Sequence, residues 1–106
     1  FVMKIHVLDN SLERFIKSLE KSTIAKVLRT IDLLEKFGHD LGLPHSKKVS
    51  NRLYELRIHG VQEVRIFYTF HKSEIFLLNG FTKKSQKISK KEIYTARQNL
   101  KKLDSL

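Results

Sequence analysis

The sequence predicts a small α+β protein in which an N-terminal helical hairpin and a C-terminal helix pack on an antiparallel-rich sheet, in the order β-α-α-β-β-β-α. Two apolar stripes of helical period come first, three runs of strand character follow, and a helix-capping motif opens the last segment. A chain of 106 residues, 41% of them hydrophobic, has room for one modest core. We expect a single domain over residues 3–106, with Met3 as the native start and Phe1 and Val2 left from an expression vector.

The N-terminal half predicts a short strand at residues 3–8 and two helices joined by a tight turn. Asn10 or Ser11 is expected to cap the first helix, with Glu13 at capping-box spacing, and Gly38 is expected to end the second. The first apolar stripe comprises Leu12, Phe15, Ile16 and Leu19, and the second comprises Ile24, Val27, Leu28, Ile31 and Leu34.

The C-terminal half predicts three strands and a helix. Residues 38–51 are expected to form a loop, and an antiparallel meander with short turns is expected at about 52–59, 62–71 and 74–81. Ser89 and Glu92 then form a capping box that opens the last helix. Its apolar stripe is Ile93, Ala96, Leu100 and Leu103.

Alternation along the first two strands of the meander separates an apolar face from a polar, mostly basic one. We expect the polar face to stay uncovered by helices. Its members are Glu55, Arg57, His59, Glu63 and Arg65.

The composition excludes several classes of protein. Without cysteine there is no disulfide or thiolate site, and the scattered histidines predict neither a metal nor a cofactor. The chain shows neither a run of the roughly 20 apolar residues that span a bilayer nor a signal peptide, so we expect no membrane association and a cytoplasmic location. A net charge of +10 favours a polyanionic partner, most simply RNA, although a basic solvated surface is an alternative.

The polar face has the groups that RNA cleavage without a metal requires. Such a site must deprotonate a 2′-hydroxyl, stabilise charge on the phosphoryl oxygens and protonate the leaving 5′-oxygen. Arg57 and Arg65 are expected on neighbouring strands about 5 Å apart, where both can reach one phosphate. The alternative is a cross-strand ion-pair ladder in which Glu55 and Glu63 neutralise them.

Two further side chains are candidates for proton transfer, each with a structural alternative. His59 shares the polar face, and a histidine next to Gly60 is also typical of a solvated turn. Tyr94 lies one helical step from the buried stripe of the last helix and is also typical of partial core.

Basic residues outside the strands are expected to bind the RNA backbone. One group follows the third strand, where bound phosphate would offset the unfavourable position of lysines near a helix N-terminus. A solvated loop is the alternative there. The groups are Lys83, Lys84, Lys87, Lys90 and Lys91 after the third strand, and Lys47, Lys48 and Arg52 before the first.

At this point the sequence resembles the RelE/HigB superfamily of type II toxin–antitoxin toxins, in particular its phage Gp49-like branch. The resemblance rests on the succession LYELR at residues 53–57, VRIFY at 64–68, LLNGF at 77–81 and KKSQK at 83–87, together with the element order. It implies a RelE-like fold and an mRNA interferase that cuts mRNA on the translating ribosome. It also implies a cognate antitoxin, in a higher-order hetero-oligomer that binds operator DNA through the antitoxin.

The resemblance also implies residue roles. Arg57 resembles a basic residue of the family's second strand, and Arg65 resembles its phosphate-gripping arginine. Lys83 and Lys84 fall where the family has basic residues after its last strand, with Lys84 a catalytic candidate, and Tyr94 matches a tyrosine of the C-terminal helix.

Two departures leave the general base unassigned. Glu55, itself a catalytic candidate, stands where RelE-type relatives have a lysine, and residues 102–106 lack the acidic-aromatic-histidine cluster of some HigB members. Two other functions stay open: a ParE-like toxin that poisons gyrase, and a basic RNA-binding module without catalysis.

Overall fold

The computed structural model describes residues 2–106 and confirms the α+β class. The five strands form one sheet in the order β1-β5-β4-β3-β2, in which β1 is parallel to β5 and the other pairs are antiparallel. The elements are β1 (Ile5–Val7), α1 (Asn10–Lys17), α2 (Lys21–Phe37), a 3₁₀ turn (Gly38–Asp40), β2 (Ser46–Ser50), β3 (Leu53–Ile58), β4 (Val64–His71), β5 (Glu74–Thr82) and α3 (Lys90–Asp104). The predicted meander corresponds to β3, β4 and β5. Phe1 lies outside the described residues, so the expectation about the chain start is not addressed.

The predicted loop over residues 38–51 is wrong, because it contains the 3₁₀ turn and the strand β2. The element order therefore has one strand more than the sequence predicted. The strand was missed because β2 is an edge strand, paired only with β3, so its central lysines face solvent and no apolar alternation is needed. Short, lysine-rich edge strands of this kind also discourage pairing with other chains.

The helix ends follow the predicted chemistry in part, because Asp9 caps α1 and only one of the two hydrogen bonds of the predicted Ser89–Glu92 capping box forms among the described residues. The N-cap of α1 is Asp9, whose carboxylate accepts a hydrogen bond from the Ser11 backbone N–H at 2.9 Å, so the predicted capping box around Asn10 does not form. Gly38 ends α2 with a positive φ of 51°, as predicted. Ser89 caps α3, and its hydroxyl accepts from the Glu92 N–H at 3.3 Å.

The two faces of the sheet carry separate cores. On one face, buried β3 and β4 side chains such as Leu56 and Ile66 pack with α1 and α2. On the other, Phe67 packs with Ala96 and Leu100 of α3. The expectation that the polar face stays uncovered is therefore wrong for half of it, because α3 covers the end near Phe67. Only the end that carries the arginines stays open. Within residues 2–106, no helix is both long and apolar enough to cross a bilayer.

Candidate functional site

Two arginines face each other across the centre of the open end of the sheet. Arg57 of β3 and Arg65 of β4 are direct register partners. Opposed residues in an antiparallel pair have Cα atoms about 4.5–5.5 Å apart, and like charges in such a pair repel. Arg65 is almost fully buried, at 3% exposure, so water does little to relieve that repulsion. The pair therefore needs nearby negative charge, part of which the carboxylates of Glu55 and Glu63 supply.

The arginines are held by neighbours on their own strands. Nη1 of Arg65 donates to the Val64 carbonyl at 3.1 Å and to Glu63 Oε2 at 3.2 Å. Nε of Arg57 lies 3.5 Å from Oε1 of the buried Glu55, close enough for an ion pair. Each arginine thus has one carboxylate close by, Glu55 for Arg57 and Glu63 for Arg65. The pairing with these two acids agrees with the ion-pair alternative considered from the sequence, but the contacts run along each chain segment and do not form a cross-strand ladder.

Several polar atoms at this place have no hydrogen-bond partner. Among residues 2–106, five buried side-chain nitrogen or oxygen atoms are unpaired, and three of them are Nε of Arg57, Nε of Arg65 and Oε2 of Glu55. Buried polar atoms in native proteins are nearly always paired, so a cluster of exceptions marks a place where a ligand can supply the missing partner. Two of the three are N–H donors of the arginine pair, and Nε of Arg57 has only the carboxylate of Glu55 nearby, at 3.5 Å.

The arginines lie in a cavity of about 710 Å³. Four cationic side chains line this cavity, whereas Glu63 contributes a single carboxylate to its wall. Burial alone would raise the pKa of Glu63, but hydrogen bonds from Arg65 and His59 outweigh that effect and lower it, so the carboxylate stays ionised at neutral pH. The lining residues are Arg57, His59, Glu63, Arg65, Lys83, Lys84, Ser85 and Gln86.

His59 is oriented by the same carboxylate. Its Nδ1 lies 2.9 Å from Oε2 of Glu63. With the proton on Nδ1 and donated to the carboxylate, Nε2 is left as a hydrogen-bond acceptor. The side chain is 48% exposed, so this acceptor is accessible from solvent. His59 is therefore exposed beside the turn, as the structural alternative expected. Its position also allows the proton-carrier role, which stays a prediction.

The lysine-rich segment after β5 reaches the cavity through its first members. The backbone N–H of Lys83 donates to the Glu63 carbonyl at 2.7 Å, which extends the pairing of β4 with β5 and brings Lys83 and Lys84 to the cavity edge. Lys87 lines a smaller adjoining hollow with both of them. Lys90 and Lys91 start α3, are exposed, and do not line the cavity.

Of the other predicted RNA-binding residues, Lys47 and Lys48 lie on opposite faces of the sheet. Lys47 pairs with Glu55 and therefore shares the face of the arginines, whereas Lys48 pairs with Tyr54 and points to the opposite face. Nζ of Lys48 lies 5.9 Å from the centre of the Tyr54 ring. Their binding roles stay predictions, and only Lys47 is on the side of the cavity.

Two predicted site residues lie away from the cavity. Arg52 makes two hydrogen bonds to Asp104, at 2.9 and 3.0 Å, which raise the pKa of Arg52 and lower that of Asp104. Tyr94 is 65% exposed on α3 and is not among the lining residues. The structure does not bring either residue to the arginine pair, and their roles stay predictions.

Sequence reasoning missed Ser85 and Gln86, which line the cavity, and two bases of α2. Lys26 and Arg29 line a second hollow beside the first. Their signal was present in the sequence, because they lie three residues apart and therefore on one side of the helix. The sequence prediction for α2 used only its apolar stripe and not the basic residues beside it.

The comparison with protein families gives a match over most of the chain. The family described as "Phage derived protein Gp49-like (DUF891)" matches residues 14–101, which include the arginine pair and the lysine-rich segment. A search of curated proteins gave no significant match. The protein therefore belongs to the phage-derived Gp49-like family, a toxin–antitoxin toxin-like family whose members imply a cognate antitoxin as partner.

Proposed function

We propose that the protein is the toxin of a type II toxin–antitoxin system and acts as a metal-independent endoribonuclease that cleaves mRNA on the translating ribosome. The observation that carries the proposal is the opposed pair Arg57 and Arg65, with unpaired Nε–H groups, in a cavity that also contains two lysines. A pair of guanidinium groups with free donors matches a phosphodiester whose charge rises during cleavage.

The reaction is a transesterification in which the 2′-oxygen attacks the adjacent phosphorus. A 2′,3′-cyclic phosphate forms, the bond from phosphorus to the 5′-oxygen breaks, and the 5′-oxygen takes up a proton. Arg57 and Arg65 bind the non-bridging oxygens as charge develops on them. Lys84, at the cavity edge, adds a positive charge and forms no ion pair with an acid within residues 2–106.

His59 is our candidate for the base that takes the 2′-hydroxyl proton. Glu63 orients the ring and stabilises the imidazolium that results. Lys84 is the candidate donor to the 5′-oxygen because it lines the cavity, and Tyr94 is the second candidate. Glu55 does not line the cavity, so we assign it the positioning of Arg57.

The proposed partners follow from the family and the charge. A net charge of +10 suits both rRNA and an acidic antitoxin. We propose that the antitoxin silences the toxin in a higher-order hetero-oligomer that binds operator DNA through the antitoxin, and that the toxin acts in the cytoplasm.

The test is inhibition of protein synthesis in a reconstituted translation reaction by purified wild-type protein and by Arg65→Ala and Lys84→Ala. Lys101→Ala is the matched control, an exposed lysine on α3 outside the cavity. We expect the wild type and Lys101→Ala to stop synthesis and Lys84→Ala to lose about 10²-fold in potency. Folded Arg65→Ala and Lys84→Ala proteins with full potency would contradict the proposal. Inhibition of gyrase supercoiling without any effect on translation would favour the ParE-like function.

A further inference from the structure

A second basic hollow adjoins the cavity on the side of α2. Its volume is about 230 Å³, and Arg57 and His59 belong to the walls of both hollows. The remaining charged or titratable lining comes from Lys26 and Arg29 of α2 and from His45, and no carboxylate lines the hollow. We call this space the α2 groove.

The α2 groove is built by backbone contacts that fix its walls. The Arg57 N–H donates to the His45 carbonyl at 2.8 Å, which holds the segment before β2 against β3. On the other side, Nζ of Lys26 donates to the His59 carbonyl at 3.1 Å. A Cβ at position 60 would lie 2.9 Å from that Nζ, so Gly60 is the residue that lets the lysine approach.

The cationic groups of the α2 groove have unused donors. An ammonium has three N–H donors, and the recorded contacts of Lys26 use one of them. Arg29 is exposed, and its side chain makes no hydrogen bond or ion pair within the part of the chain that the structure describes. Lys26, Arg29 and Arg57 line the groove without a carboxylate among them. Together they concentrate positive potential there and attract an anion.

We infer that the α2 groove is a second phosphate subsite, which binds a backbone phosphate next to the one held in the cavity. Because Arg57 and His59 belong to both walls, the groove adjoins the cavity although α2 packs on the other face of the sheet, so the next phosphate of a strand held at the arginine pair would lie around the end of β3. Leu33, Pro44 and Ile58 supply an apolar wall for the sugar between the two phosphates. The inference rests on the proposed function for its ligand, a single-stranded polynucleotide.

The subsite predicts the salt dependence of binding. Each phosphate contact to a single strand contributes about −0.7 to the slope of log affinity against log salt concentration. The probe is a fluorescently labelled single-stranded oligodeoxynucleotide, which lacks the 2′-hydroxyl and is not cleaved. We expect Lys26→Ala/Arg29→Ala to make the slope less negative by about 0.7, and Arg29→Ala alone to change it in the same direction.

The matched control is Arg14→Ala/Lys17→Ala. These two bases have the same charge and the same three-residue spacing on the neighbouring helix α1, are exposed, and line neither hollow. The inference predicts an unchanged slope for this control. Equal losses in the two double variants would overturn it, because they would show a general effect of net charge, and so would wild-type protein that fails to bind the probe at low salt.

The outcomes separate this inference from the proposed function. If the Lys26→Ala/Arg29→Ala slope is less negative than that of the wild type while the wild type leaves translation intact, the groove is a phosphate site and the nuclease proposal fails. If the wild type stops translation by cutting mRNA and the slope of the double variant does not change, the nuclease proposal stands and the second subsite is wrong.

Discussion

The Oε2 atom of Glu63 lies 2.9 Å from Nδ1 of His59, and the same oxygen lies 3.2 Å from Nη1 of Arg65. One carboxylate therefore joins the candidate base to the more deeply buried of the two arginines. Both contacts favour the ionised carboxylate and lower its pKa, even though partial burial acts in the opposite direction. This coupling has a measurable consequence for stability.

Replacing Glu63 with glutamine should make the stability difference from wild type depend on pH. A carboxyl whose pKa is lowered in the folded protein stabilises it above the unfolded value of about 4.3, and that stabilisation disappears as the pH falls through the folded value. We expect the variant to be less stable at pH 7 by a few tenths of a kcal/mol, because the side chain is 41% exposed and screened. Urea unfolding should show the two proteins converging in acid. Glu35→Gln is the control, and a Glu63→Gln difference that persists at the lowest pH would contradict the account.

Arg57→Lys separates charge from geometry at the arginine pair. The lysine keeps a cation near Glu55, so we expect the free energy of unfolding to change by no more than about 0.5 kcal/mol. A lysine cannot bind two phosphate oxygens in a planar fork, so cleavage should fall by about 10- to 100-fold. Urea unfolding and inhibition of translation measure the two effects, with Arg52→Lys as control. Unchanged inhibition by Arg57→Lys would show that only its charge matters.

The arginine pair was predictable from the sequence, but its surroundings were not. Strand alternation predicts that Arg57 and Arg65 lie on one face of the sheet. Their spacing from the turn between β3 and β4 sets the register in which they are partners. That α3 would cover part of this face depended on Phe67, an apolar residue on the face of the arginines that packs with α3.

The edge strand β2 and the contacts of Arg52 escaped prediction for a different reason. Lysine-rich edge strands carry no periodic apolar signal, because only one face and one neighbour constrain them. Arg52 and Asp104 are far apart in sequence and meet only through the tertiary fold. Long-range ion pairs of this kind have no local pattern that spacing could detect.

Leu100→Ala tests the covering of the sheet by α3. The side chain is 6% exposed in the second core, and a buried leucine-to-alanine change costs about 2–5 kcal/mol. Urea unfolding should show this loss, whereas Leu28→Ala, at a residue that is 53% exposed, should stay within about 0.5 kcal/mol of wild type. Similar small effects for both variants would mean that α3 does not pack as described.

Arg52→Ala should change the chemistry of Asp104 and leave inhibition of translation intact. Hydrogen bonds from Arg52 are the main cause of the lowered pKa of Asp104, so their removal should raise that pKa toward its ordinary value. An NMR titration of the carboxyl carbon measures the shift, with the Asp32 signal as internal reference. A variant that binds RNA or inhibits translation much more weakly than wild type would instead assign Arg52 to the interface.

The most direct test of the central claim is mapping of new RNA 5′ ends on a defined mRNA in a reconstituted translation reaction, beside the same RNA without ribosomes. The account predicts new ends in register with codons when ribosomes are present, none without ribosomes, and none with Arg65→Ala. Cuts on naked RNA would identify a nuclease that does not need the ribosome. Intact mRNA in the presence of folded wild-type protein would contradict the claim that the arginine pair cleaves RNA.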